Sequence, residues 1–215
     1  MEEEKQIKTG TTTLGLVCKD GIVLAADKRA TAGYLIAAKK VDKVLKITDD
    51  IAVTIAGTVS DIQLLTKLIK AELKLKELKT GKVNTVKEAT NLLAGIVYNN
   101  IRKFSVIPGI SHFIVGGRDA KGYHIYDLSP DGAITEIDDY VSSGSGSILV
   151  YGLLETVYKK DMETKEGIKL AVKGINAAMQ RDVASGNGIN VFTVTDKGVK
   201  EVMKQEVEMK LDIPK

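Results

Sequence analysis

Apolar and polar positions along the chain fall into short strand-like blocks, interrupted twice by stretches of helical spacing. Thr12–Lys19 and Ile22–Asp27 read as strands on either side of Asp20–Gly21, a strong hairpin signal. Val44–Ile47 and Ile51–Ala56 form a second such pair around Thr48, Asp49 and Asp50. The period then changes. Ile62, Leu64, Leu65, Leu68, Ile69 and Leu73 recur at helical spacing, which predicts an amphipathic helix from Ser60 to about Leu78, stopped at Gly81. Thr85 and Glu88 have the spacing of a capping box and open a second helix running to about Lys103, before a turn at Pro108–Gly109. Strands resume at His112–Gly116, Gly122–Leu128 and Ala133–Ile137, with turns at Asp119–Gly122 and Ser129–Gly132. Ser147–Tyr158 and Thr164–Arg181 read as two more helices. Ile189–Thr195 and Val199–Val202, joined at Asp196–Gly198, close the chain.

Helices thus come in pairs between groups of strands, without the single βαβ alternation of a parallel sheet, so hairpin-built antiparallel sheets are expected. Two such sheets packed face to face, with a helix pair on each outer side, bury every apolar stripe. The expected fold class is therefore α/β, a four-layer αββα sandwich. The pattern alone leaves the strand order open.

Composition narrows the function classes. The 215 residues suit one domain, and 44% hydrophobic with 27% charged residues is an ordinary globular mixture. A net charge of +3 without any basic block gives no reason to expect nucleic acid. No apolar run approaches the roughly 18–20 residues of a membrane span, so no membrane is expected either. The opening MEEEKQIKTG has no apolar core and does not read as a secretory signal. The single cysteine, Cys18, has no internal partner, which suits a reducing cytoplasm, and reads as strand packing. His112 and His124 lack ligand spacing and read as plain strand or surface residues; no metal and no cofactor are expected.

Candidate chemistry begins at Gly10–Thr11–Thr12–Thr13. Cleavage after Gly10 would leave Thr11 carrying a hydroxyl and an α-amine on one residue, a nucleophile with its own base. A free α-amino group titrates at about 7.7–8.0, close to working pH. Glycine before the threonine keeps a side chain out of the hydroxyl's path to the preceding carbonyl.

Read together with the residues downstream of it, the junction is specific. GTTTLGLVCKDGIVLAADKRATAG resembles the amino-terminal region of archaeal proteasome β subunits. Asp27 and Lys43 lie 16 and 32 residues beyond Thr11, the offsets of that family's acidic residue and lysine. IAGTVSD, SGSGS and QRDVASGNG resemble three further family segments in order and spacing, so the resemblance runs from Thr11 to about Val202. It implies an Ntn-hydrolase sandwich and a threonine endopeptidase made as a zymogen. Residues 1–10 would be a propeptide removed by autocatalysis, and 11–215 a single catalytic domain. The implied roles are Thr11 as nucleophile, Lys43 held by Asp27 as the nearby cation, and the Gly57 N–H as oxyanion hole. Ser145, Asp182 and Ser185 would orient the α-amino group. Thr31 would contact substrate through its backbone. Ala30, Val41, Leu45, Ile55, Val59 and Gln63 would line the pocket for the residue before the cut, favouring large hydrophobic side chains over charged ones, with no charge at its base.

The same resemblance implies partners: other β subunits in a ring, α-type subunits, a regulatory ATPase acting through the α ring, and unfolded protein as substrate. With residues 1–10 present the chain is expected to be a latent precursor that matures when rings meet. Two positions depart from the family pattern. Asp42, beside Lys43, is expected to form a local ion pair that competes for the lysine, and Ser60 replaces a glycine. The alternatives are an inactive structural β-ring subunit, a simpler bacterial ring protease and an amidase acting on small amides. Retention of all the named residues favours the protease, and the chain length favours the proteasome type over the shorter bacterial one.

Overall fold

A computed structural model of the chain describes residues 10–106 and 108–207; residues 1–9, most of the expected propeptide, lie outside the described residues. Among the described residues there are twelve strands and four helices. One sheet joins β1 (Thr12–Cys18), β2 (Gly21–Asp27), β10 (Tyr140–Gly144), β11 (Gly188–Thr195) and β12 (Gly198–Glu206) in the order β10-β1-β2-β11-β12. The second joins β5 (Val44–Lys46), β6 (Ile51–Gly57), β7 (Ser111–Asp119), β8 (Gly122–Leu128) and β9 (Ile134–Ile137) in sequence order. A small hairpin, β3 (Ala30–Ala32) with β4 (Leu35–Ala38), stands apart. Neighbouring strands are antiparallel throughout.

The strand period of two explains the layers. Leu14, Leu16, Val23 and Ala25 face the helices α3 (Ser147–Val157) and α4 (Thr164–Arg181), whose Val150, Leu154, Leu170, Ala171 and Ile175 complete that core. Ile22, Leu24 and Ala26 point the other way and meet Ala52, Ile114 and Ile125 of the second sheet. Ile51, Val53, Phe113 and Val115 then face α1 (Val59–Thr80) and α2 (Val86–Ile101) through Leu65, Ile69, Leu93 and Val97. Helix pair, sheet, sheet, helix pair: this is the four-layer sandwich expected from the pattern. β2 is buried on both faces, which is why it reads as one apolar run rather than an alternation.

The capping box forms as expected, with the Glu88 N–H donating to Thr85 Oγ1 at 3.2 Å and the Thr85 N–H to Glu88 Oε2 at 3.1 Å. Cys18 is buried, and that burial, with the charge of Asp20, pushes its thiol pKa up to about 12. It packs and does not react.

Three features differ from the sequence reading. The β3–β4 hairpin carries no burial alternation, since β4 is exposed along its whole length, so periodicity had nothing to register. β10 is short and ends in SSG, and its partner β1 lies at the far end of the chain. β12 continues to Glu206 instead of Val202 because its outer half is polar and exposed.

Candidate active site

Thr11 immediately precedes β1, at the end of the sandwich, and is 6% exposed. Its hydroxyl donates to the Gly10 carbonyl oxygen at 2.7 Å. The Gly10 N–H in turn donates to Thr31 Oγ1 at 2.9 Å, which holds the junction against β3. A side chain at Gly10 has nowhere to go: a Cβ there would lie 1.7 Å from that of Ala184.

Two groups of side chains converge on the junction. The first is built on Asp27, fully buried at the end of β2. Its Oδ1 accepts from Lys43 Nζ at 2.7 Å and from the Thr12 N–H at 3.0 Å. Its Oδ2 accepts the Arg29 and Gly186 N–H groups, each at 2.9 Å. A buried carboxylate with four donors is stable where an unpaired one would be expelled or protonated. Lys43 is 3% exposed. Burial depresses its pKa below the ordinary lysine range, and the attraction and hydrogen bond of Asp27 offset only part of that effect.

The second group is built on Asp182, at the C-terminal end of α4. A helix C-terminus disfavours an anion, so the carboxylate needs specific donors. Ser145 and Ser185 each donate to its Oδ2 at 2.6 Å, and the Ala184 N–H donates to Oδ1 at 3.2 Å. With the Ser185 proton committed to Asp182, the Thr12 hydroxyl donates to Ser185 Oγ at 2.6 Å. Ser145 Oγ accepts the Thr11 N–H at 3.3 Å. The nitrogen of Thr11 is thereby already placed on the hydroxyl–carboxylate chain.

A cavity of about 560 Å³ opens beside Thr11. Ala30, Thr31, Val41, Leu45, Ile55, Val59 and Gln63, all expected at the substrate pocket, line it together with Gly10, Thr11, Lys43 and Gly57. Gly57 ends β6 with φ 131°, a left-handed-region value suited to glycine, and a Cβ there would strike the Ile110 carbonyl oxygen at 2.1 Å. Lys40, Asp42 and Lys67 line the cavity as well, beyond the residues expected there. Ile62 and Thr66 of α1 extend it beyond the expected residues. The expected competition of Asp42 for Lys43 is corrected: Asp42 pairs with Lys28 at 2.6 Å and Lys204 at 2.7 Å. Ser60 lies exposed in the first turn of α1, with its hydroxyl turned to Asp61.

Sequence reasoning missed Thr12, Arg29 and Gly186, whose backbone N–H groups complete the Asp27 shell, and Ala184, whose N–H serves Asp182; backbone donors leave no residue-type signal. It also read His112 as a plain strand residue. The histidine does lie on a strand, β7, but it joins the two sheets, with Nε2 on Asp127 Oδ1 at 2.6 Å and Nδ1 at 2.7 Å from Ser143 Oγ. A carboxylate only accepts, so Nε2 carries the proton and, in the neutral ring, the Ser143 hydroxyl donates to Nδ1. Ser143 is 4% exposed, too buried to meet a substrate. The chain is a brace between layers. Among the described residues no three His, Cys, Asp or Glu side chains are grouped so as to hold a metal ion.

The family model described as proteasome subunit matches residues 7–194. The proteasome subunit beta of Ferroglobus placidus is 44% identical over 203 residues, covering 94% of this chain and 95% of the relative. That of Archaeoglobus profundus is 44% identical over 207 residues, covering 96% and 94%. That of Methanocaldococcus fervens is 43% identical over 203 residues, covering 94% and 89%. With the family matched over most of the chain and the relatives matched nearly end to end, this chain belongs to the proteasome subunit family, as a β subunit of archaeal type.

Proposed function

We propose that the chain is a catalytic β subunit of a proteasome core, a threonine endopeptidase that exposes its own nucleophile by cutting between Gly10 and Thr11. The observation that carries this reading is the Thr11 hydroxyl 2.7 Å from the Gly10 carbonyl oxygen, within a ring of Lys43–Asp27 and Ser145–Asp182 pairs. In maturation, Thr11 Oγ bonds to the Gly10 carbonyl carbon and gives its proton to a water. The C–N bond then breaks, the nitrogen takes up a proton, and residues 1–10 are left as an ester on Thr11. The α-amino group is then free next to Ser145, and water hydrolyses the ester, returning the Thr11 hydroxyl and releasing residues 1–10 with Gly10 as a carboxylate.

The mature site repeats the chemistry on substrate. The free amine accepts the hydroxyl proton as Thr11 Oγ attacks the scissile carbonyl, and later returns it to the leaving amine. The Lys43 cation, held by Asp27, favours the deprotonated forms of both groups. The Gly57 N–H receives the oxyanion, a contribution that is typically among the largest at such sites. Ser145, Asp182 and Ser185 orient the amine. Thr31 offers backbone hydrogen bonds to the substrate chain.

The family reading also supplies the setting: β rings stacked with α-type rings, unfolded protein threaded in by a regulatory ATPase, and a cytoplasmic location. Among the described residues no helix is long and apolar enough to cross a membrane. Intact-mass measurement tests the switch. The chain alone is expected to keep Met1–Gly10, whereas the particle co-assembled with an α-type subunit is expected to lose it and to hydrolyse peptides. Loss of the leader from the isolated monomer would remove assembly as the trigger.

Substrate preference follows from the pocket walls. Ala30 leaves room, while Val41, Leu45, Ile55 and Val59 offer apolar contact worth about 1.5–3 kcal/mol to a well-buried side chain. In a peptide panel, cleavage after Leu or Tyr is expected to outpace cleavage after Arg or Glu. The reverse order would sink the assignment of these residues.

A further inference from the structure

Asp42 directly precedes Lys43, and its carboxylate is shared between two lysines from different parts of the sheet. Lys28, at the end of β2, is 1% exposed and reaches Oδ1 at 2.6 Å; Lys204 of β12 reaches Oδ2 at 2.7 Å. Burial pushes the Asp42 pKa up, but the hydrogen bonds from Lys204 and Lys28 outweigh it and hold the carboxyl below its usual range. Two residues earlier, Lys40 pairs with Glu206 of β12 at 2.7 Å. The segment from Lys40 to Asp42 therefore runs antiparallel beside the end of β12, with a cation facing an anion at one step and an anion facing a cation at the next. A slip of two residues would set Lys40 against Lys204 or Asp42 against Glu206, so this charge order resists displacement. The Val41 N–H donates to the Lys28 carbonyl at 3.0 Å between the two pairs, and the Lys43 carbonyl accepts the Ile55 N–H at 2.9 Å just beyond them.

We propose that the end of β12 clamps the Lys43 segment, with Lys204 and Glu206 as positioning residues that hold Lys43 toward Thr11 through Asp42 and Lys40. This rests on the reading of Lys43 and Thr11 as parts of one reacting site. Lys204 and Glu206 do not line the cavity, so they act through the segment and not on substrate. The four outer side chains are each about one-third to three-fifths exposed, so their pairs are individually weak and open to screening, unlike the Lys43–Asp27 pair at 4% and 0%. Salt should therefore loosen the clamp before it touches the buried pair.

Charge reversal tests this in the intact, assembled particle and in the unprocessed chain. Glu206→Lys and Lys204→Glu are each expected to speed amide exchange at Val41 about fivefold and to lower kcat by a similar factor with little change in KM; Lys40→Glu, at the cavity wall, is read by exchange alone and should speed it equally. Combining Glu206→Lys with Lys40→Glu restores the pair with its signs exchanged and should return Val41 exchange to within about twofold of the parent. High salt should move the parent toward the single variants. Unchanged Val41 exchange in the single variants, or a combined variant no better than either parent variant, would overturn the clamp. Faster exchange with unchanged kcat would overturn its positioning role. Exchange needs no catalysis, so a parent that hydrolyses nothing would count against the proposed function while the exchange data still decide the clamp.

Discussion

Thr11→Ala is expected to abolish peptide hydrolysis and to keep Met1–Gly10 attached even in the assembled particle. Both outcomes follow from one atom. The Thr11 hydroxyl is the group that faces the Gly10 carbonyl, and after cleavage it is the group that would face the scissile bond. The substitution removes one hydrogen bond at a surface already fixed by the Gly10 N–H on Thr31 and the Thr12 N–H on Asp27, so folding and ring assembly should survive. Removing a nucleophile that has no substitute typically costs several orders of magnitude, on the order of 10⁴–10⁶ in kcat. Intact mass and a fluorogenic peptide assay on the same preparation check the two arms. Normal turnover in the variant would mean that another group attacks.

Lys43→Ala is expected to lower kcat by orders of magnitude, while Lys46→Ala, at an exposed pair with Asp49, should stay within a few-fold of the parent. The contrast is one of dielectric. Lys43 and Asp27 are 4% and 0% exposed, so their charges act with little screening, whereas Lys46 at 47% is shielded by water. The alanine also leaves Asp27 buried without its counter-charge, a loss of about 3–5 kcal/mol by the usual cost of breaking such a pair, so melting should be measured alongside kcat. Lys43→Met, which fills more of the space, separates charge from volume. Similar kcat losses at Lys43 and Lys46 would mean that the cation has been misassigned. The pH profile adds a sign. Burial lowers the Lys43 pKa, so its charge is lost, as pH rises, earlier than an ordinary lysine would lose it. Asp27→Asn removes the opposing attraction and should move the alkaline limb of kcat to lower pH, never higher.

What the sequence made legible was whatever leaves a local period or a residue-type signature. The helical spacing of Ile62, Leu65, Ile69 and Leu73 and the capping box at Thr85–Glu88 both appear where they were expected. Asp27 and Lys43 were candidates by their offsets from Thr11, Ser145, Asp182 and Ser185 by the resemblance of their segments to the family, and the structure gathers all five around Thr11. Hidden were contacts made by backbone groups, such as the Gly186 N–H on Asp27, and contacts between residues that no local pattern links, such as His112 with Ser143. Asp42 shows the limit most directly. Adjacency in sequence suggested Lys43 as its partner, but consecutive side chains in an extended segment point apart, and the carboxylate is taken up by Lys28 and Lys204. Lys67 at the cavity went unmarked for a related reason: it lies on a helix face one turn beyond Gln63, outside the residues that the family pattern names.

β1 sits between β2, its hairpin neighbour, and β10, so that Thr11 meets Ser145 across 134 positions of chain while Thr12 meets Asp27 across 15. Closing a long loop demands more conformational entropy than closing a short one and generally comes later on the way to the native state. Three of the four donors to Asp27 can therefore come from the first hairpin and the segment after it, whereas the Gly186 N–H and the Ser145–Asp182 half wait until nearly the whole chain has been made. A growing chain on the ribosome holds Thr11 and Lys43 long before it holds Ser145 and Asp182, whose hydroxyl, and through it the carboxylate, reaches the Thr11 nitrogen in the folded chain. On the proposed reading, order of synthesis would delay the reacting site: it could not be complete before the fold is.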